Sequence, residues 1–390
     1  MECNDSQIFN LENNLTVTVL NTLWEFKNAY SPFHRYIAVL LCVCGLLANS
    51  IHIWVLTRPR MRTSSVHTVL TCIAISDMGT MTSYLIYMPR FEFLQDHSGY
   101  QYGWALFLKV HVVLSIALHA ITLYLVVLMA FIRLSVMKIS TSQWLQTGRT
   151  LIAAIAIVFC VFMLSVPTLL AHQINVHRYL DDVGKMKVKY SIGFSDMMLS
   201  DGCFFMKANL WLTGIFLKAI PCFLLIWFTI ALIVRLRENN EKRKQLLRMK
   251  EDKHKRKGDV TTYMLLFMVS VFLITELPQG VMAILNALYT SQFHQFVYLA
   301  LADILDLLSL INCYVAFLVY ICTCSRYRQT LLSILGNMPE VFSAISTRQN
   351  TMKRMQPKNR REHLGENEKG KLSAAANQTS PLISKTDVNL

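Results

Sequence analysis

The stretch Thr275-Glu276-Leu277-Pro278-Gln279-Gly280 lies inside an apolar run from about Val260 to Tyr289. A carboxylate there must face either hydrocarbon or the interior of a helix bundle. At a bilayer centre an acidic residue costs roughly 2.5–3.5 kcal/mol even on insertion scales. Pro278 removes a backbone donor and bends a helix, freeing carbonyls nearby. A charge and a bend within three residues, in a run of lipid-crossing length, mark a candidate working site.

Six further apolar runs lie outward from it, about Tyr36–Leu56, Val66–Met88, Trp104–Met137, Thr150–Leu170, Leu210–Val234 and Phe296–Ile321. Each reaches or exceeds the roughly 20 residues that a spanning helix needs. The chain has 390 residues, 54% of them hydrophobic and only 16% charged. Soluble domains carry about 25% charge. The expected fold is therefore an all-α membrane protein, a seven-transmembrane helix bundle with a short amphipathic helix after span seven. The expected division is residues 1–34 as a leader, 35–335 as the membrane domain and 336–390 as a polar tail without a packed core. Met1 to Tyr30 lacks the pattern of a cleavable signal peptide, so the first span is expected to act as its own signal.

Charge orients the bundle. Arg58, Arg60 and Arg62 follow span one, and a dense run from Arg235 to Lys257 separates spans five and six. The segment near Thr290–Gln295 has no Lys or Arg. By the positive-inside rule the leader is extracellular and the tail cytoplasmic, in a multi-pass protein of the plasma membrane. Lys185, Lys187 and Lys189 in a long outer connection dissent, but long loops weigh little in that rule. The net charge of +14 thus reflects the membrane rather than nucleic acid. Asn4 and Asn14 head glycosylation tripeptides in the outer leader. Cys42, Cys44, Cys72, Cys160, Cys222 and Cys313 fall in apolar runs and read as small core residues. Ser325 to Leu332 alternates apolar and basic residues at helical spacing, the signature of a helix on the inner leaflet. Cys322 and Cys324 beside it are candidate palmitate sites.

No nucleophile, metal-ligand spacing or phosphate loop is present, so neither an enzyme nor a cofactor is expected. Ionisable residues at membrane depth stand out instead: Asp77, His119, Arg133, Lys218 and Glu276, with Asp303 and Asp306 near the outer end of span seven. His119 lies fourteen residues above Arg133, about 21 Å along a helix. Lys218 precedes Pro221 much as Glu276 precedes Pro278. These positions predict one buried cluster of His119, Lys218 and Glu276, with Lys218 and Glu276 paired. Breaking such a pair strands a charge at roughly 3–5 kcal/mol. Asp303 and Asp306 share a helical face and form an acidic mouth suited to a cation. His111 and Trp104, on span three, are candidate wall residues, and Tyr84 and Tyr87, with Pro89 after them, give span two a kinked aromatic upper end.

These residues resemble a rhodopsin-like G-protein-coupled receptor over about Tyr36–Leu335. Gly45-x-x-x-Asn49, Leu70-x-x-x-Ala74-x-x-Asp77, Pro221, Pro278 and Tyr320 follow that family's order and spacing. Departures narrow it. Ile132-Arg133-Leu134 keeps only the arginine of the span-three triplet, Glu276 replaces a span-six tryptophan, and Ala316-Phe317-Leu318-Val319-Tyr320 stands at the end of span seven. Leu108 occupies the usual span-three cysteine position, leaving Cys203 without its usual partner; Cys3 is a candidate substitute. The run Thr275–Gly280, Leu217-Lys218-Ala219-Ile220-Pro221-Cys222, Asp303-Ile304-Leu305-Asp306 and Leu310-Ile311-Asn312 resemble the invertebrate myosuppressin and FMRFamide-type neuropeptide receptors.

The resemblance implies an amidated peptide ending in Arg-Phe-amide, bound by His111, His119, Lys218, Glu276, Gln279, Asp303 and Asp306. It implies signalling through a heterotrimeric G protein of the inhibitory class, with arrestin a further partner. Asp77, Arg133, Pro278 and Tyr320 would carry the switch. Asp77, Thr122 and Asn312 would hold a sodium ion, with Ala316 a missing ligand. A chemosensory seven-span receptor for a non-peptide ligand is the alternative. An amine receptor is disfavoured by Ser115, eighteen residues before Arg133, where an aspartate is required. A transporter is disfavoured by the lack of an internal repeat.

Overall fold

A computed structural model describes residues 7–94, 99–138, 146–180, 186–247 and 256–335. Cys3, Asn4, Lys185, the middle of the loop between spans five and six, and the 336–390 tail lie outside the described residues. The element order is α1 (Asn14–Leu56), α2 (Ser65–Tyr87), α3 (Tyr102–Lys138), α4 (Thr147–Ala171), β1 (His172–Leu180), β2 (Met186–Phe194), α5 (Asp196–Leu199), α6 (Phe204–Leu212), α7 (Ile220–Leu247), α8 (Arg256–Leu288), α9 (Leu299–Thr323) and α10 (Ser325–Leu335). Seven helical stretches among the described residues are long and apolar enough to cross a membrane. The expected all-α bundle is observed.

The helices show which way they face lipid. In α4, Thr150, Ala154, Val161, Ser165 and Thr168 are buried along one stripe, while Ile152, Ile155, Phe159, Phe162 and Val166 point outward. Small and hydroxylated residues inside, with large apolar ones outside, is the arrangement a hydrocarbon solvent selects. Not every cysteine is core: Cys42, Cys222 and Cys313 are buried, but Cys44 and Cys160 are exposed on outward faces. α1, α2 and α9 share a core of Ala38, Cys42, Met81, Tyr84, Met88, Leu310 and Cys313.

Several boundaries differ from expectation. α1 begins at Asn14, capped by the Asn13 side chain on the Leu15 amide, so much of the leader is helical and continuous with span one. Pro32 is accommodated inside it. Asn14 itself is exposed. Met88–Phe93, expected to be partly loop, is a π-helical continuation of α2. The connection after span four is a two-stranded antiparallel hairpin, registered from His172↔Phe194 to Leu180↔Met186. Tyr100 joins its outer edge by two backbone bonds to Tyr190, both 2.8 Å. Asp201, Gly202 and Cys203 then adopt left-handed backbone conformations, which non-glycine residues hold only when the surroundings enforce them. Cys203 is disulfide-bonded.

Candidate functional site

α8 carries its working residues on one stripe. Phe272, Thr275, Glu276 and Gln279 are buried at helical spacing, and Ala283 follows, while Ile274, Leu277 and Val281 face outward. Opposite it, Thr213–Ala219 is π-helical, with the Ile220 amide bonded to the Ile215 carbonyl. The wide turn immediately precedes Pro221, whose missing N–H favours such a bulge, and π-bulges gather at functional sites. A Cβ on Gly214 would stand 3.2 Å from the Ala283 carbonyl oxygen. Glycine at 214 therefore lets the two helices approach closely, which brings Lys218 over Gln279.

Glu276 is fully buried and anchors the network. Its Oε2 lies 2.9 Å from His119 Nε2 of α3. Its Oε1 accepts from Asn312 Nδ2 of α9 and, at 3.5 Å, from Gln279 Nε2. Thr275 Oγ1 donates to Asn312 Oδ1 at 2.5 Å. Lys218 does not pair with Glu276, contrary to expectation. Its Nζ donates to Gln279 Oε1 at 2.7 Å, and Ser309 Oγ donates to the same oxygen at 3.1 Å. The amide thus relays the lysine to the carboxylate. His119 and Asn312 hold Glu276 directly, leaving Lys218 a place one residue further out.

Above this network lies a cavity of about 130 Å³, lined by Tyr84, His119, Lys218, Gln279, Asp306 and Ser309 among others. Asp306 is held by Tyr84 Oη, which donates to its Oδ1 at 3.1 Å. Asp303 is turned elsewhere: it accepts from Ser31 Oγ of α1 and does not line the cavity. Three residues along a helix turn through about 300°, so a shared face still leaves room for the two carboxylates to diverge. His111 does not line the cavity either. It bonds Ser83 Oγ at 2.6 Å and stacks on Tyr87 with ring centres 4.6 Å apart.

Toward the other end, Thr122 Oγ1 donates to Asp77 Oδ1 at 2.8 Å. The set expected around a sodium ion is incomplete. Asn312 is bonded to Glu276 and Thr275, and Ala316 offers no side-chain oxygen. Among the described residues no group of three or more His, Cys, Asp or Glu converges to hold a metal. At the inner end, Arg133 Nε and Tyr320 Oη are buried without hydrogen-bond partners among the described residues. The Tyr320 ring packs against His52, His67 and Tyr327. His52 Nδ1 lies 3.0 Å from Tyr327 Oη, fastening α10 to α1. Burial raises the Tyr327 phenol well above its ordinary range, so it is neutral.

Residues 36–338 match the serpentine-type 7TM GPCR chemoreceptor family Srw. The chain belongs to that family. It is a G-protein-coupled receptor, a multi-pass membrane protein and not an enzyme. Among known relatives, the receptor is similar to the G-protein coupled receptor dmsr-1 of Caenorhabditis elegans, 32% identical over 345 residues, covering 77% of this chain and 68% of that one. It is also similar to the sex peptide receptor of Drosophila melanogaster, 33% identical over 132 residues, covering 32% of this chain and 30% of that one.

Proposed function

We propose that this receptor responds to an amidated peptide ending in Arg-Phe-amide and belongs to the myosuppressin and FMRFamide-type branch. One observation carries the reading. Asp306 presents a carboxylate to the cavity and, among the described residues, has no cationic side chain paired with it. A guanidinium matches that vacancy in charge and geometry. The cavity's volume is close to that of an engineered void of about 150 Å³ that holds benzene. It therefore takes one side-chain-sized group, with the rest of the ligand above. A relative named as a peptide receptor supports a peptide ligand.

Binding would act through the floor. A group entering beside His119, Lys218 and Gln279 meets the bonds that tie α3 and α9 to α8 next to Pro278. Moving Glu276 relative to His119 shifts the balance between two packings, and Arg133 and the basic inner segment then meet the G protein. In this reading the leader is outside, the tail is cytoplasmic and the receptor lies in the plasma membrane. Asn4 and Asn14 are glycosylated, Cys322 and Cys324 carry palmitate, the inhibitory G-protein class couples and arrestin follows. The family's description as chemoreceptors favours a second reading, a non-peptide ligand in the same cavity.

The test uses cells carrying the receptor, with surface expression confirmed. Amidated Arg-Phe peptides and their free acids are applied, and G-protein activation is recorded. Activation by the amides, with weaker action of the acids, supports the reading. Silence toward every amidated peptide removes it in favour of the chemosensory one.

A further inference from the structure

The leader half of α1 has two apolar sides. On the inner side Leu20 is buried, Trp24 and Tyr30 are half-buried, and Ser31 donates to Asp303 of α9. The opposite side carries Leu15, Val19, Thr22, Phe26, Ala29 and Phe33, in alternating steps of four and three residues. At about 100° per residue these six fall within an arc of roughly 80°. All six are exposed, Leu15 and Phe33 by 73 and 67%, Val19 and Phe26 by 52 and 47%. No charged residue falls among them. Thr22 donates its hydroxyl to the Thr18 carbonyl at 2.8 Å, so it is satisfied within the helix. The Phe26 ring is held against Tyr30, with ring centres 5.8 Å apart. Asn14, the first residue of the helix, lies about 100° round from Leu15, so a sugar on it clears the stripe.

Lipid does not cover the outer side. The apolar run Tyr36–Leu56 already crosses a hydrocarbon layer about 30 Å thick at about 1.5 Å per residue. Leu15–Phe33 lies beyond it, in a segment that also holds Glu25 and Lys27. Single exposed apolar residues in water need no explanation, but an aligned run of them marks a contact surface. A helix apolar on both sides is buried on both.

The spacing says what fits. Steps averaging about 3.5 residues align one helix with another, each side chain entering a gap on its partner. Every copy of the receptor stands the same way up in the bilayer, so two copies present this stripe in parallel and at the same height. A surface that meets itself about a two-fold axis needs no other partner. The same steps continue into the span as Tyr36, Leu40, Val43 and Leu47, all exposed. From Leu15 to Phe33 the contact is about 27 Å long at about 1.5 Å per residue, narrow beside the roughly 800 Å² per partner of a standard soluble complex. Confinement of both copies to one plane and one orientation lowers the entropy that association costs, which lets a narrow seam hold.

We propose that the Leu15–Phe33 stripe is a coiled-coil seam that joins two copies of this receptor side by side, in parallel and in register. The seam does not depend on which ligand activates the receptor.

The test uses the full-length receptor in intact membranes. Single cysteines are placed on the stripe in Leu15→Cys, Val19→Cys and Phe26→Cys. Two controls, Asn21→Cys and Asn28→Cys, are exposed but lie about a third of a turn away. The unaltered receptor, whose Cys44 and Cys160 are exposed, sets the baseline. After mild oxidation, a reducible product of twice the receptor mass should form several-fold more at the three stripe positions than at the two controls. Equal yields at all five positions would mean random collision and overturn the seam. So would no product above baseline in variants that reach the surface, or a product of some other mass. A second measurement needs no cysteine. Fluorescently tagged receptor in polymer-excised membrane patches should bleach in two steps, and Val19→Glu with Phe26→Glu, both at exposed positions, should reduce this to one. Single steps from the unaltered receptor, or two steps persisting in the double variant, overturn the proposal.

Discussion

Glu276 Oε2 and His119 Nε2 stand 2.9 Å apart beneath the cavity, joining α8 to α3. The same carboxylate accepts from Asn312 of α9. One side chain thus ties three helices together beside the proline of α8. Hydrogen bonds to a charged group contribute about 1.5–3 kcal/mol each. Glu276→Gln keeps the shape but removes the charge. It should lower the thermal stability of purified receptor and alter basal signalling and ligand potency together. Unchanged basal activity and potency, with normal surface expression, would remove the switching role from this residue.

Lys218 acts on Glu276 through Gln279. Lys218→Met and Gln279→Leu should therefore be non-additive, with a coupling of about 0.5–3 kcal/mol in a double-mutant cycle read by thermal unfolding. Additive losses would mean that the 2.7 Å bond between them contributes nothing measurable.

The two span-seven aspartates should separate functionally. Asp306 faces the cavity, while Asp303 is bonded to Ser31. Asp306→Asn should lower the potency of an Arg-containing amidated peptide by roughly 10- to 100-fold, the equivalent of one charged hydrogen bond. Asp303→Asn should lower it less. Replacing the peptide's arginine with citrulline should weaken it at the unaltered receptor but hardly at Asp306→Asn. Equal citrulline losses at both receptors would place the arginine elsewhere.

At the inner end, Tyr327→Phe deletes the partner of His52 and leaves a buried ring nitrogen unsatisfied. A loss of about 1–3 kcal/mol follows, together with looser attachment of α10, detectable as faster amide exchange across Ser325–Leu331. Unchanged exchange there would show that packing of the Tyr327 ring alone holds the helix.

The spans were legible because each apolar run is long enough to cross lipid, and that constraint acts through composition alone. The buried acid was legible for the same reason: a carboxylate in such a run must find partners. Of its partners, His119 is expected from the sequence and stands 2.9 Å away; the others are not. Lys218 carries the obvious complementary charge, yet Gln279 and Asn312 take the remaining contacts, because the π-helical turn before Pro221 sets where the lysine reaches. Asn312 was placed around Asp77 by resemblance, and only the rotation of α9 shows it facing Glu276. The hairpin after α4 does carry a signal: along β2, Met186, Val188, Tyr190, Ile192 and Phe194 alternate with Lys187, Lys189, Ser191 and Gly193, the period of a strand. The helical leader lacked a signal because its composition suits water as well as a bundle.

α1 has a mechanical consequence. Its 43 residues make a rod about 65 Å long at 1.5 Å per residue, against a hydrocarbon layer about 30 Å thick. Roughly half the rod extends beyond a layer of that thickness, with Pro32 inside it. Its outer end is moored rather than free: the Ile8 and Phe9 amides donate to Gln292 Oε1 at 2.9 and 3.0 Å, and the Phe9 ring packs on Phe296. The rod is thus a strut, which passes a tilt of the first span to the segment joining α8 and α9.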